Sequence, residues 1–167
     1  NAERDARKFA AVMRQRGASV VEIYGAIASR AAIIDALQDA ENELQRIAGF
    51  PRRTLFIFYF AGHGETVQGQ GYLLPYDADL DRRGNWISIA DIRQHAKVMS
   101  AAQHQLYVFS SCFGGTLLRS PDVDEAALRS RLPPSEWLAK ELDTVARVAI
   151  TAGDAKQRIP DGPNDGE

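Results

Sequence analysis

With 167 residues, 45% hydrophobic and 25% charged, the chain has the size and composition of one soluble globular domain with a real core. A net charge of −2 excludes a global attraction to nucleic acid or an anionic membrane, and no apolar stretch reaches the roughly 18–20 residues that span a bilayer. One cysteine excludes an internal disulfide and fits a reducing compartment, so a cytoplasmic location is expected, without nucleic acid or membrane as partner.

The opening segment "NAERDARKFAAVMRQRG" sets Ala6, Phe9, Ala10 and Met13 at helical spacing and stops at Gly17, a natural helix-ending residue. "SVVEIYG" (19–25) follows as a short β-branched run that predicts a strand. A second helix starts after Ser29, carries Ile33, Ile34, Leu37, Leu44 and Ile47 on one face, and ends at Gly49 and Pro51. "TLFIFYF" (54–60) is apolar at consecutive positions, which predicts a strand covered on both faces. Ser88 and Asp91 stand at capping-box spacing before the third helix, "SIADIRQHAKVM". "HQLYVFSS" (104–111) and "VARVAIT" (145–151) are expected as further buried strands, separated by a polar segment at 119–136 that reads as an exposed linker. Strands alternating with helices predict an α/β domain with a mainly parallel sheet across residues 1–167. Both ends read as cut, since the chain starts directly in a helix and trails off in turn residues.

In parallel α/β sheets, functional groups collect beyond the carboxyl ends of the strands. "TLFIFYFAGHG" delivers His63 there and "LYVFSSCFGG" delivers Cys112. A thiol needs a base or cation beside it to act as a nucleophile near neutral pH, and imidazole suits that task. Gly62, Gly64, Gly114 and Gly115 would let backbone approach a substrate and aim N–H groups at an oxyanion. Each residue alone also has a structural reading, Cys112 as a small core hydrophobe and His63 as a hydrogen-bonded turn residue. Their joint placement in glycine-flanked turns after apolar strands, 49 residues apart, points to a dyad.

These motifs resemble those of the caspase-like cysteine peptidases, above all the metacaspase-type and bacterial members. "FYFAGHG" is similar to the family's histidine motif, "SSCFGG" to its cysteine motif, and "GYLLPYDAD" to the segment after the histidine. "NAERDA" and "VARVAITAGDAKQ" extend the resemblance from Asn1 to Gln157. The resemblance implies a three-layer α/β/α fold, here a large-subunit-like portion incomplete at both ends. The first strand would precede Asn1, and a small-subunit-like part would follow Glu167. It implies a cysteine endopeptidase acting on protein or peptide substrates, with Cys112 as nucleophile, His63 as acid–base, and the backbone N–H groups of Gly64 and Cys112 holding the oxyanion. Asp5 matches an acidic residue that lines the specificity pocket of metacaspase-type enzymes, whereas Ser110 stands where a second Asp is usual. Cleavage after Arg or Lys is therefore expected, less sharply than with two carboxylates, with about 2–4 kcal/mol lost on Asp5→Asn if that carboxylate is desolvated. Autoprocessing is expected within 119–136, at Arg129 or Arg131, or near Lys156–Arg158. No cofactor is expected; some metacaspases need calcium, so the resemblance leaves calcium activation open, with no site assigned to it. Fused or associated sensor domains fit the family pattern. A catalytically silent caspase-like scaffold and a separase-related protease stand as alternatives.

Other readings are weaker. One Cys and three scattered His (63, 95 and 104) do not make a zinc site. "GHGETVQGQG" lacks the G-K-[ST] ending of a phosphate loop. "DADLD" starts like an EF-hand, yet Arg82 and Ser88 occupy the positions that need Gly and Glu, which leaves a solvated acidic turn. His95 is expected on a helix surface, and Trp86 and Trp137 as packing or loop anchors.

Overall fold

The computed structural model describes residues 2–48, 54–111 and 146–151. The helix stop at Gly49 and Pro51, the 119–136 linker, Trp137 and the Lys156–Arg158 site lie outside them.

Helix α1 (Ala2–Gln15) ends as its sequence predicts. Gly17 takes φ +82°, its N–H reaches the Arg14 carbonyl, and the Ala18 N–H reaches the Met13 carbonyl. This doubly bonded termination needs a left-handed residue, and glycine adopts that conformation without a Cβ clash. Helix α2 (Arg30–Ile47) is capped by the Ser29 hydroxyl, which accepts from the Ala32 N–H at 3.2 Å. Helix α3 (Ile89–Val98) carries the full Ser88–Asp91 capping box.

Strands β1 (Leu55–Ala61), β5 (His104–Ser110) and β6 (Ala146–Thr151) form a parallel sheet in the order β1-β5-β6. A second, antiparallel sheet joins β2 (His63–Val67), β3 (Gln70–Leu74) and β4 (Ile87–Ser88). Period-two alternation sorts the main sheet. Tyr107 and Phe109 of β5 are buried with Phe56 and Phe58 of β1 and the apolar faces of α2 and α3, while buried Gln105 donates to the Met99 carbonyl and accepts from the Tyr107 hydroxyl. Tyr59 of β1 meets α1 instead, stacked on Phe9 with centroids 4.4 Å apart and planes 15° from parallel. Helices on both faces make the three-layer α/β arrangement expected from the sequence.

Three features differ from expectation. Segment 19–25 forms no ladder: Val21 is 76% exposed, and a short 3₁₀ turn starts at Gly25. Its polar groups are bound by α1, where Glu22 pairs with Arg14 and Arg7 lies over the Tyr24 ring at 4.2 Å. Burial, with the bond to Glu22, pushes the Tyr24 phenol up to about 12. Strand β1 is only partly covered, with Leu55 58% exposed, because it forms one edge of the sheet among the described residues. The β2–β3 hairpin turns on Gln68 and Gly69, both at positive φ, the tight turn whose twist matches antiparallel strands.

His95 is not a surface residue. Its Nδ1 lies 2.5 Å from Glu41 Oε1, with the side chains 17% and 14% exposed, so the pair ties α3 to α2. His95→Ala should lower stability by about 1–3 kcal/mol by stranding a partly buried carboxylate. Glu41→Gln, which can keep a hydrogen bond, should cost less. Urea denaturation reads both, and an unchanged His95→Ala midpoint would rule out the tie.

Candidate active site

The strand ends set the geometry. β1 and β5 pair in parallel from Leu55 opposite His104 to Ala61 opposite Ser110. The Gly62 N–H continues the pairing by donating to the Ser110 carbonyl at 3.2 Å. His63 stands two residues beyond Ala61, and Cys112 stands two beyond Ser110 in sequence. The offset of 49 between paired residues thus equals the His63–Cys112 separation. Cys112, Phe113, Gly114 and Gly115 lie outside the described residues.

His63 opens β2 opposite Leu74 and is exposed, with no hydrogen bond to its imidazole among the described residues. Gly64 follows it, buried opposite Leu73. Ser111, the residue before the cysteine, is 3% exposed, and its hydroxyl has no hydrogen-bond partner among the described residues.

Asp5 lies in α1 and Ser110 ends β5, and both act on the phenol of Tyr59 in β1. Burial pushes this phenol up; Ser110 opposes the shift and Asp5 adds to it. Asp5 lies in the first turn of α1, where a carboxylate also favours the helix dipole. Its side chain is 47% exposed and sits 3.9 Å from Arg4 Nε, so it is not desolvated. The signal for Tyr59 was in the sequence: a phenol within an otherwise apolar strand needs a polar partner for its hydroxyl.

Elsewhere the polar groups have structural work. Asp77 accepts the Arg30 N–H at the start of α2, Asp79 accepts the Asp81 N–H, and the Asp79 carbonyl accepts the Trp86 indole N–H. Trp86 is 7% exposed with its ring edge against Tyr72, the anchor expected of it. Among the described residues no group of three His, Cys, Asp or Glu has metal-binding geometry. A depression of about 600 Å³ lined by Glu3, Arg4, Arg7, Lys8 and Ala11 is formed by α1 alone and contains no strand end.

The parallel sheet with helices on both faces defines an α/β domain. A family model described as the caspase domain matches residues 1–162. The chain belongs to the caspase-like cysteine peptidase family. No curated protein and no solved structure matches it. No described helix is long and apolar enough to cross a membrane.

Proposed function

We propose that this chain is the catalytic part of a cysteine endopeptidase that cuts after basic residues. The observation that carries the reading is the in-register pairing of β1 with β5. It favours a shared position for His63 and Cys112 beyond the same sheet edge. Cys112 attacks the scissile carbonyl as thiolate, and the bond to nitrogen breaks as His63 delivers the thiol's proton to the leaving amine. Water then hydrolyses the thioester with His63 as base. Backbone N–H groups of Gly64 and Cys112 receive the oxyanion. A small-subunit-like partner segment, self-processing within 119–136, fused or associated sensor domains and a cytoplasmic setting belong to the same reading, which needs no cofactor. Labelling of Cys112 by a peptidyl electrophile tests it. Labelling that depends on His63 supports the peptidase, whereas a thiol that reacts only on unfolding supports a silent scaffold. A separase-related protease shares the dyad and differs in the domains it is fused to.

In this reading substrate choice rests on Asp5 and Ser110. One half-exposed carboxylate attracts a cation less than a desolvated pair would. Asp5→Asn should therefore reduce kcat/KM on an Arg peptide by about tenfold, nearer 1–2 than 2–4 kcal/mol. Ser110→Asp should raise the Arg preference. Fluorogenic peptides differing only in the residue before the cut decide it, and an Asp peptide cleaved faster than its Arg counterpart overturns the assignment.

A further inference from the structure

We propose that Phe60 is a positioning residue for His63: its ring, wedged over Gly62, sets the direction in which the chain leaves the main sheet and presents the imidazole. The proposal rests on the peptidase reading above. Three observations carry it. Gly62 is the single residue between β1, which ends at Ala61, and β2, which opens at His63, so the chain passes there from the parallel sheet into the antiparallel one. Phe56, Phe58 and Phe60 alternate onto the core side of β1, and Gly62 follows on that side. The Phe60 ring covers Gly62 so closely that a Cβ there would stand 3.1 Å from its Cζ and 3.2 Å from its Cε1. Beyond this junction, His63 is exposed and its imidazole hydrogen-bonds no described residue.

With no side-chain bond to aim it, the imidazole takes its direction from its backbone, and that backbone leaves the sheet at Gly62. Close approach is what demands glycine here. Carbon atoms pack best about 3.5–4.0 Å apart, so a methyl at 62 must push either the ring or the chain aside by a few tenths of an ångström. The ring is the stiffer side, because it packs against the core cluster and Phe60 pairs in the ladder with Phe109, which is 1% exposed. The strand end therefore moves, and His63 moves with it. Proton transfer needs heavy atoms about 2.6–3.2 Å apart, so a small displacement at the junction is felt at the dyad. Shortening Phe60 to leucine has the opposite effect, since it leaves space over Gly62 and loosens the same junction. A methyl at 62 fills part of that space, so the two substitutions should compensate.

Cys112 is the single cysteine of the chain, so iodoacetamide alkylation of the intact protein reports on it alone. The readout is the ratio of the alkylation rate at about pH 6 to that at about pH 9, taken on samples that circular dichroism shows to be folded. An unaided thiol of pKa about 8.5 reacts about two-hundredfold more slowly at about pH 6 than at about pH 9, whereas one paired with imidazole keeps much of its rate. The parent ratio should therefore stand well above that of His63→Ala. Gly62→Ala should cut the parent ratio by about tenfold, since a misplacement of about 1 Å costs about a hundredfold and this one is smaller. Phe60→Leu should cut it by about threefold, and the double variant should return to within about threefold of the parent. An unchanged ratio in Gly62→Ala overturns the proposal and leaves the dyad standing. A double variant no better than Gly62→Ala overturns it too, because the methyl then does not meet the ring. Should Gly62→Ala fail to fold, Phe60→Leu decides alone, and an unchanged ratio there overturns the role of the ring. A folded parent whose ratio equals that of His63→Ala overturns the peptidase reading and this proposal with it.

Discussion

Cys112→Ala and His63→Ala are each expected to abolish peptide hydrolysis, by about a thousandfold or more, and the double variant to fall no further. A nucleophile and its base act as one unit, so removing either forfeits what both provide. A thiol with an ordinary pKa near 8.5 is only a few per cent ionised at neutral pH, and in the proposed dyad the imidazole changes that. The histidine must also return the proton to the leaving amine, so its loss blocks the second half of the step as well. His63 is exposed and hydrogen-bonds no described residue, so replacing it should leave stability within about 0.5 kcal/mol. Activity and stability should therefore separate cleanly in this variant. The measurement is kcat/KM on a fluorogenic Arg peptide beside a urea denaturation curve. Substantial cleavage by Cys112→Ala would sink the mechanism; a double variant much slower than either single would show that the two residues act independently.

Local chemistry made much of this fold legible. The ends of α1, α2 and α3 follow from Gly17, Ser29 and the Ser88–Asp91 box, because caps are satisfied within a few residues of the chain. The apolar runs of β1, β5 and β6 marked three strands of one parallel sheet, whose register matches the spacing of His63 and Cys112, but the expected cover failed at Leu55, Val148 and Ile150, which are exposed. What failed was what depends on partners far along the chain. Segment 19–25 has the composition of a strand, but among the described residues its partners are α1 side chains rather than a ladder. His95 looked solvent-facing until Glu41, 54 positions earlier, was packed against it. The β2–β3 turn was missed differently: Gln68 at φ 52° is a residue type that rarely announces a left-handed position.

Phe109→Ala is expected to lose about 3–5 kcal/mol of stability, a large part of what a domain of this size holds. Phe109 is 1% exposed, pairs with Phe60 in the ladder, and packs against the Phe58 ring with centroids 5.9 Å apart. Truncation removes its buried apolar surface and leaves a cavity between the sheet and the helices, and rigid neighbours on both sides limit collapse. The same residue precedes Ser110 on the strand that runs toward the cysteine, so packing and chemistry share one element here. Activity should consequently fall in step with the folded fraction rather than through any loss at the reacting atoms. Phe109→Leu retains most of the volume and should cost less than half as much, with activity per folded molecule preserved. Circular dichroism across a urea series gives the stabilities, and active-site titration with the peptidyl probe gives the folded, competent fraction. A Phe109→Ala loss below about 1 kcal/mol would mean that β5 is not the centre of the core. Activity lost from a fully folded Phe109→Leu protein would mean instead that this ring positions the strand end directly, and that the site tolerates far less movement than its exposed histidine suggests.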